Sequence, residues 1–173
     1  MSKDELLPLV DEDGNVIGSA TRRYCHSGAK PLHPVVHLHV INSRGDVYLQ
    51  KRSLDKDIQP GKWDTAVGGH VDYGEDIPSA LRRESREELG LVDFEPQLIG
   101  RYVFESDVER ELVNSYAAHV GDDVVITPDP GEISEGRFWP VNELEAALDS
   151  GVMTPNFALE YRRFRSYFKP DNK

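Results

Sequence analysis

Alternating apolar and polar positions predict most of the strands. VVHLHVIN alternates and is rich in β-branched residues, which predicts a strand over 35–41, and VYLQKR returns as a second strand after SRGD. LLPLVDEDGNVIGSAT predicts two short strands around the turn Asp13-Gly14-Asn15. The segments TAVGGHV, LIGRYVFES, ELVNSYAAHV and RFWPV predict further strands. We expect loops at RRYCHSGAKPLH, DKDIQPGKWD and DDVVITPDPGEISEG.

Apolar positions that recur every three or four residues predict helices. One is expected over 76–89, with Asp76 as its N-terminal cap and Gly90 as the residue that ends it. Its core face carries Ile77, Ala80, Leu81, Ser85 and Leu89. NELEAALDSG predicts a short helix, and TPNFALEYRRFRSYF predicts a C-terminal helix whose aromatic face serves a core or an interface. Helices scattered among strands predict an α/β layered domain with a mixed sheet.

Length and composition fit one domain with its own core. The chain has 173 residues, and no apolar run reaches the ~18 residues that a membrane span requires. The acidic N-terminus, MSKDELLPLVDEDG, does not have the pattern of a signal peptide. Cys25 is the one cysteine and has no internal disulfide partner, so we expect a reducing, cytoplasmic setting.

The formal net charge of −11 argues against nucleic-acid binding, which requires a basic face. It is compatible with a phosphorylated small molecule, because divalent cations between an acidic site and a polyphosphate neutralise both. No nucleic acid and no membrane is therefore expected as a partner.

Three glutamates are concentrated on the helix predicted over 76–89. Glu84, Glu87 and Glu88 lie three and four residues apart, so their carboxylates converge and repel one another. A Glu-rich helix taken alone is usually a solvated face with salt bridges to arginines such as Arg83. A glycine-rich segment, GGHVDYG, precedes this helix and exposes backbone carbonyls beside the carboxylates. Oxygen ligands at that density suit Mg²⁺ or Mn²⁺.

The same stretch resembles the Nudix box of the Nudix hydrolases. Gly69 is followed after five residues by Glu75 and after seven more by RESREELGL, as in G-x5-E-x7-R-E-U-x-E-E-x-G-U, where U is a bulky aliphatic residue. All seven fixed identities are met, and Ser85 at the first U position is the one departure. The resemblance implies a Nudix-type α/β/α sandwich with a mixed β-sheet, a single Nudix domain over 1–173 and a box at 69–91.

The resemblance also implies a reaction. Nudix hydrolases cleave a diphosphate linked to another moiety, X, while divalent ions neutralise the charge. The implied catalytic residues are Arg83, Glu84, Glu87 and Glu88. The implied ligands of Mg²⁺ or Mn²⁺ are Glu84, Glu87, Glu88 and Gly68. Arg83 would hold the glutamates through ion pairs, and Glu75 would support the loop or a further metal.

Several assignments remain open. Arg52 is either a contact for a substrate phosphate or part of an exposed pair at a strand end. Trp63 and Trp139 either stack on X or lie in the core. The identity of X has no readable signature, and we expect a monomer or a homodimer.

A second set of residues has the chemistry of a transition-metal site. Three of the six histidines, with two glutamates spaced two apart, supply imidazole and carboxylate ligands. These residues are His26, His33, His70, Glu109 and Glu111. Asp107 and Glu105 are alternative carboxylates, and the site is either occupied by a divalent transition metal, structural, or a relic.

These positions resemble those of the isopentenyl-diphosphate isomerases, which share the Nudix fold. The predicted N-terminal hairpin and loop over 1–33 resemble the same enzymes. In those enzymes two histidines seven apart, a C-G-H tripeptide and a Glu-x-Glu pair bind a metal. This chain has Gly68 in place of the cysteine that transfers a proton, and Asn156 and Phe157 in place of a tryptophan. We therefore predict a Nudix hydrolase of the isomerase-like branch, with an isomerase-like protein and a non-catalytic diphosphate-binding module as alternatives.

Overall fold

The computed structural model describes residues 5–56 and 59–169. Strands β1 (Leu6–Val10) and β2 (Val16–Thr21) form an antiparallel hairpin. The other strands are β3 (Leu32–Ile41), β4 (Val47–Arg52), β5 (Trp63–Thr65), β6 (Val67–His70), β7 (Gln97–Glu105), β8 (Arg110–His119) and β9 (Ile133–Trp139). The helices are α1 (Arg22–Cys25), α2 (Ile77–Leu89), α3 (Val141–Ala147) and α4 (Pro155–Arg163), followed by a 3₁₀ turn at Arg165–Phe168. No helix within the described residues is long and apolar enough to cross a membrane.

Strand β3 is the centre of a seven-stranded mixed sheet. The main path runs β5-β4-β3-β8-β7, β6 pairs with β3, and β9 pairs with β4. Strands β3 and β8 are parallel and the other pairs are antiparallel, which confirms the predicted mixed sheet.

Helices cover both faces of this sheet. Side chains alternate along β3, so apolar side chains on each face pack against a different set of helices. Val36, Leu38 and Val40 pack with Leu81 and Leu89 of α2 on one face. On the other face, Ile41 belongs to a second core cluster with residues of β4, α3, α4 and the 3₁₀ turn. The architecture is the predicted α/β/α sandwich, and burial of these apolar side chains stabilises it by roughly 25 cal/mol per Å² of area removed from water.

Several predicted boundaries are wrong. Strand β3 begins at Leu32, inside the expected loop at 22–33, and β5 begins at Trp63, inside the expected loop at 55–64. Helix α1 forms inside the expected loop at 22–33 because Thr21 Oγ1 caps it by accepting from the backbone N–H of Tyr24 at 3.1 Å. Strand β9 extends back into the expected loop at 122–136, where pairing with β4 provides partners that the local sequence does not reveal. The C-terminal helix ends at Arg163 rather than continuing to Phe168.

The C-terminal aromatic face belongs to the core. Phe157, Tyr161 and Phe168 are buried together, and Phe164 packs half-buried against them. The alternative of an interface formed by these side chains is therefore not needed to explain their apolar character. The expectation of a monomer or homodimer stays a prediction.

Candidate active site

Helix α2 has the predicted bounds and caps. Asp76 Oδ1 accepts from the backbone N–H of Ser79 at 2.8 Å, and Gly90 adopts the left-handed conformation with φ of 64°. The buried stripe includes Ala80, Leu81, Ser85 and Leu89, as expected, but it also includes Glu84. A buried carboxylate on the core side of a helix requires a specific explanation.

Gly69 provides the space that Glu84 occupies. A Cβ at Gly69 would lie 2.2 Å from Glu84 Cδ, a distance that no side chain tolerates. The strand β6 therefore passes directly against the glutamate, with glycine as the residue that allows the approach. Glu84 is 7% exposed, and burial raises the pKa of its carboxyl group.

Glu88 lies beside Glu84 and contacts the same strand. Its Oε1 accepts from Gln50 Nε2 at 2.9 Å and lies 3.5 Å from the backbone N–H of Gly68. Burial, followed by the charge of Glu84, raises the pKa of Glu88 well above its ordinary value. Two carboxylates so placed resist carrying two negative charges unless a cation is shared between them.

Arg83 is the hub of this site. Its guanidinium binds Glu75 through two contacts of 2.9 Å, Glu84 at 3.1 Å and Glu87 at 3.5 Å. It also donates to the main-chain carbonyl of His70 at 3.1 Å. Glu75 in turn accepts from the backbone N–H of Asp72 at 3.0 Å, so it supports the loop. We call Glu75, Glu84, Glu87 and Glu88 the carboxylate cluster.

The glycine-rich segment before α2 is more ordered than the sequence suggests. Gly68 and Gly69 belong to β6, where they pair with His37 and Val36 of β3. Gly74 alone among these three has a positive φ, 90°. Gly68 is exposed, so its backbone is accessible at the edge of the carboxylate cluster.

A second group lies on the opposite face of the sheet from α2. One ligand atom each of His26, His33, His70 and Glu109 lies within 4.8 Å of the others, and we call these four residues the histidine cluster. His26 and His70 approach through their Nε2 atoms at 3.2 Å. Glu109 Oε1 lies 3.1 Å from His26 Nε2 and 3.5 Å from His33 Nε2.

The donor atoms of the histidine cluster fit a metal ion. His33 Nε2 and Glu109 Oε1 are buried and have no aligned hydrogen-bond partner within the described residues. Burial, followed by the neighbouring positive groups, lowers the pKa of His70 to about 3, so its imidazole is neutral and able to ligate. Burial alone would raise the pKa of Glu109, but His26 and His33 outweigh it and hold the pKa below its ordinary value. Three imidazoles and one carboxylate suit a divalent transition metal.

The remaining predicted carboxylates lie around this group. Glu111 does not join the four, but burial and the charge of Glu109 raise its pKa to about 8. Glu105, one of the alternatives, instead binds Lys30 Nζ at 2.6 Å. Asp107 is exposed and is absent from the group as described.

Arg52 and the two tryptophans have structural contacts. Arg52 Nη1 lies 3.5 Å from Asp64 Oδ2 at the end of β4, two residues after Gln50. Trp63 and Trp139 are buried and pack edge to face, with ring centroids 5.2 Å apart. Arg137 covers the Trp139 ring with its guanidinium 3.9 Å from the centroid. The tryptophans therefore belong to the core, whereas the phosphate contact of Arg52 stays a prediction.

Glu160 is the centre of a buried polar network that was not predicted from the sequence. This carboxylate is fully buried and accepts from His37 Nδ1 at 2.5 Å, His39 Nε2 at 2.8 Å, Ser115 Oγ at 2.6 Å and the hydroxyl of Tyr102. Burial alone would lower the pKa of His37, but the charge of Glu160 raises it to about 9. The alternation in VVHLHVIN placed both histidines on one face of a strand, but nothing local identified a glutamate more than a hundred residues later as their partner.

The fold and the two clusters are those of an α/β protein with two candidate metal sites. A mixed sheet between helices presents a helix-borne carboxylate cluster at one side of a glycine-rich strand and a histidine cluster at the other. The NUDIX domain family matches residues 31–157, so the chain belongs to the Nudix family. The match begins after the N-terminal hairpin, and one domain over the whole chain stays a prediction.

Relatives carry two kinds of name. The chain is 30% identical to isopentenyl-diphosphate Delta-isomerase 1 of Photorhabdus laumondii over 165 residues, which cover 91% of this chain and 93% of the relative. It is also 30% identical to a Streptomyces coelicolor protein named uncharacterized Nudix hydrolase SCO1686, over 96% of this chain and 91% of that protein.

Solved structures agree on the fold. The crystal structure of DR0079 from Deinococcus radiodurans has a TM-score of 0.78 and 27% identity, and the match covers 92% of this chain and 99% of that chain. A MutT protein from Methanosarcina mazei has a TM-score of 0.67 at 24% identity, with 82% of this chain and 98% of that chain covered. Relatives named as an isomerase and as a hydrolase are equally similar to this chain, so similarity alone does not decide the reaction.

Proposed function

We propose that this protein is a divalent-metal-dependent Nudix hydrolase that cleaves a diphosphate linked to another moiety, X. The observation that carries the proposal is the geometry around Arg83, which fixes Glu75 and Glu84 while Glu84 occupies the space over Gly69. A helix built only for stability has no reason to bury one glutamate and crowd a second beside it.

Two kinds of residue would act in this site: ligands of the metal and residues that orient those ligands. Glu84, Glu87, Glu88 and the carbonyl of Gly68 would hold Mg²⁺ or Mn²⁺. The bound ions supply charge neutralisation on the diphosphate and activation of water. Gln50 fixes one oxygen of Glu88, and Arg83 fixes Glu84, so each carboxylate presents its remaining oxygen in a set direction. Arg52, at the end of the same strand as Gln50, is proposed to contact a phosphate.

The reaction is a hydrolysis. Water adds to one phosphorus and the P–O bond to the bridging oxygen breaks. One product is X carrying a single phosphate, and the other carries the second phosphate. The substrate is proposed to be a small-molecule diphosphate, and the setting is proposed to be cytoplasmic.

A screen by phosphorus NMR tests the proposal. Nucleoside, sugar and prenyl diphosphates are incubated with Mg²⁺ or Mn²⁺ and with wild type, Glu88→Gln or Glu95→Gln. Glu95 is exposed and has no assigned role, so its variant is the matched control. We expect metal-dependent loss of the diphosphate signal in wild type and Glu95→Gln, and at least a hundredfold slower loss in Glu88→Gln. Equal rates in all three proteins would contradict the proposal. Binding detected by calorimetry without any turnover would indicate a diphosphate-binding module.

The second candidate is isopentenyl-diphosphate isomerisation. The histidine cluster and the isomerase relatives favour it. Gly68 argues against it, because proton transfer at an allylic carbon requires an acid–base side chain and glycine has none. Deuterium exchange from solvent into isopentenyl diphosphate tests this candidate, and we expect no exchange.

A further inference from the structure

His37 lies at an opening in the sheet that Gly68 creates. The two residues are register partners between β3 and β6. A Cβ at Gly68 would lie 3.5 Å from His37 Cδ2 and 3.8 Å from His37 Nε2, and no other atom of the described residues comes within 4 Å beyond its chain neighbours. Because Gly68 is exposed, the Cδ2–Nε2 edge of the ring faces outward where a side chain would otherwise cover it.

Glu160 fixes the orientation of this ring. Its Oε2 binds His37 Nδ1 at 2.5 Å from the buried side. The same carboxylate is held by His39, Ser115 and Tyr102, so it has no freedom to follow a rotating imidazole. Turning the ring over would break the contact with Glu160, so Nε2 is the nitrogen presented at the opening.

His39 provides an internal comparison. It lies two residues further along β3, on the same face, and also binds Glu160, at 2.8 Å. His39 is fully buried and packs edge to face on Phe168, with centroids 4.7 Å apart. The side chain of His37 is 12% exposed. One carboxylate therefore serves two histidines, of which one is sealed in the core and the other reaches the surface.

The opening lies between the two clusters already described. The backbone N–H of Gly68 approaches Glu88 of the carboxylate cluster, and His70 of the histidine cluster follows two residues later. Asn156 Oδ1, at the first turn of α4, lies 2.9 Å from the hydroxyl oxygen of Tyr102, so a further polar group borders the Glu160 network. A molecule whose diphosphate lies at Glu88 would have its next atoms near Gly68.

We propose that His37 contacts the substrate through the opening at Gly68 and that it selects an X carrying a hydroxyl group close to the diphosphate. This inference rests on the proposed function and adds the chemical class of X. A hydroxyl donates to an unprotonated imidazole nitrogen and accepts from a protonated one, so the contact forms in either state. A hydrocarbon X offers no such partner and would leave the presented nitrogen unpaired, which costs affinity.

Two substitutions separate substrate contact from structural support. In His37→Asn, the side-chain amide nitrogen reaches the position of Nδ1 and keeps the bond to Glu160, while the Nε2 edge is removed. In His39→Gln, the amide nitrogen reaches the position of Nε2 and keeps its own bond to Glu160. Both variants retain a donor to the same carboxylate, so both should fold. His37→Asn should lower the unfolding temperature more, because it removes the positive charge that Glu160 favours on His37.

Binding is measured by calorimetry with Ca²⁺ in place of Mg²⁺ and with Glu88 intact, so that the carboxylates proposed to hold the metal stay in place while the larger ion disfavours turnover. The probes are ADP-ribose and UDP-glucose, which carry hydroxyls near the diphosphate, and isopentenyl diphosphate, which carries none. We expect His37→Asn to raise the Kd of at least one hydroxylated probe about tenfold, which corresponds to about 1.4 kcal/mol. Its Kd for isopentenyl diphosphate should stay within twofold, and His39→Gln should leave every Kd within twofold.

Gly68→Ala supplies a second test, because its Cβ fits at ordinary contact distance but covers the ring edge. We expect it to weaken binding of the same hydroxylated probe severalfold without lowering the unfolding temperature. Unchanged Kd values in His37→Asn, equal weakening in His39→Gln, or failure of both hydroxylated probes to bind would each overturn the inference. A wild-type protein that binds as expected but hydrolyses nothing would contradict the proposed function and leave the His37 contact supported.

Discussion

Arg83 donates from Nη2 to the main-chain carbonyl of His70 across 3.1 Å, so a side chain of helix α2 holds the backbone of a histidine-cluster residue. The same guanidinium binds Glu75 and Glu84. The two clusters therefore share one support. Displacing Arg83 should disturb both at once, although their ligand atoms lie on opposite faces of β6.

The first prediction concerns Arg83→Lys. An ammonium group cannot reproduce the planar fork, so at least one of Glu75, Glu84 and the His70 carbonyl loses its partner. We expect a loss of about 1–3 kcal/mol in the free energy of unfolding and a large loss of hydrolysis. Urea denaturation measures the first effect. Arg86→Lys, at an exposed position of the same helix, is the control and should behave as wild type.

The second prediction concerns the contact between Gly69 and Glu84. Gly69→Ala forces its methyl group into the glutamate side chain, so the helix or the strand must shift at a cost of about 1–3 kcal/mol. We expect a lower urea midpoint and loss of metal-dependent activity. Gly68→Ala is the matched control for stability, because the nearest atom to its Cβ lies at 3.5 Å. Equal destabilisation by the two substitutions would show that the close approach is not rigid.

Much of this site follows from the sequence, because its residues lie within one helix and the segment before it. The spacing of Arg83, Glu84 and Glu88 fixes their faces on α2, and the caps at Asp76 and Gly90 fix the ends of the helix. Glu75 lies in the segment just before the helix and contacts Arg83. The three histidines were grouped with Glu109 and Glu111 from residue chemistry and from the resemblance, and the structure brings together all of these except Glu111.

The Glu160 network was not predictable for the opposite reason. Its members come from β3, β7, β8 and α4, and each alone reads as an ordinary strand or helix residue. Gln50, which orients Glu88, likewise has no local pattern that indicates this contact. Contacts between distant segments depend on tertiary packing, and periodicity carries no information about which strands pair. The short helix α1 and the early start of β9 were missed for related reasons, since a cap and a pairing partner decided them.

The third prediction concerns metal binding by the histidine cluster. Cobalt(II) added to a Glu88→Gln protein should give visible absorption bands and raise the unfolding temperature, because three imidazoles and a carboxylate provide a transition-metal ligand set. At a hundredfold excess over Kd the stabilisation should be about 2.7 kcal/mol. Glu109→Gln should abolish both effects. Glu105→Gln, which instead breaks the contact with Lys30, should leave the bands intact, and their persistence in Glu109→Gln would contradict the assignment.

The fourth prediction concerns pH and the N-terminal hairpin. Burial, followed by the nearby Asp72, raises the pKa of Glu5 from 4.5 to about 7. Because the folded state binds this proton more tightly than the unfolded state, the free energy of unfolding falls as the pH rises through this interval. In the presence of a chelator, Glu5→Gln should therefore raise the unfolding temperature at pH 8 and change it little at pH 4. Glu12→Gln, at a surface ion pair with Arg110, is the control. A benefit of Glu5→Gln that is equal at both pH values would exclude this cause.

The last prediction concerns the position where an isomerase would carry a thiol. Gly68→Cys should fold, because its Cβ makes ordinary contact with His37 and nothing closer, and the backbone of Gly68 has no positive φ. The new thiol should react with Ellman's reagent in the native protein, since Gly68 is exposed, whereas Cys25 is fully buried and should not react. The thiol alone should not produce deuterium exchange into isopentenyl diphosphate. Its neighbour is a histidine fixed by Glu160, and Asn156 lies at the first turn of α4 beside Tyr102, so the environment favours hydrogen bonding over stabilisation of a carbocation. Exchange gained by this single substitution would show instead that the isomerase site is complete apart from its thiol.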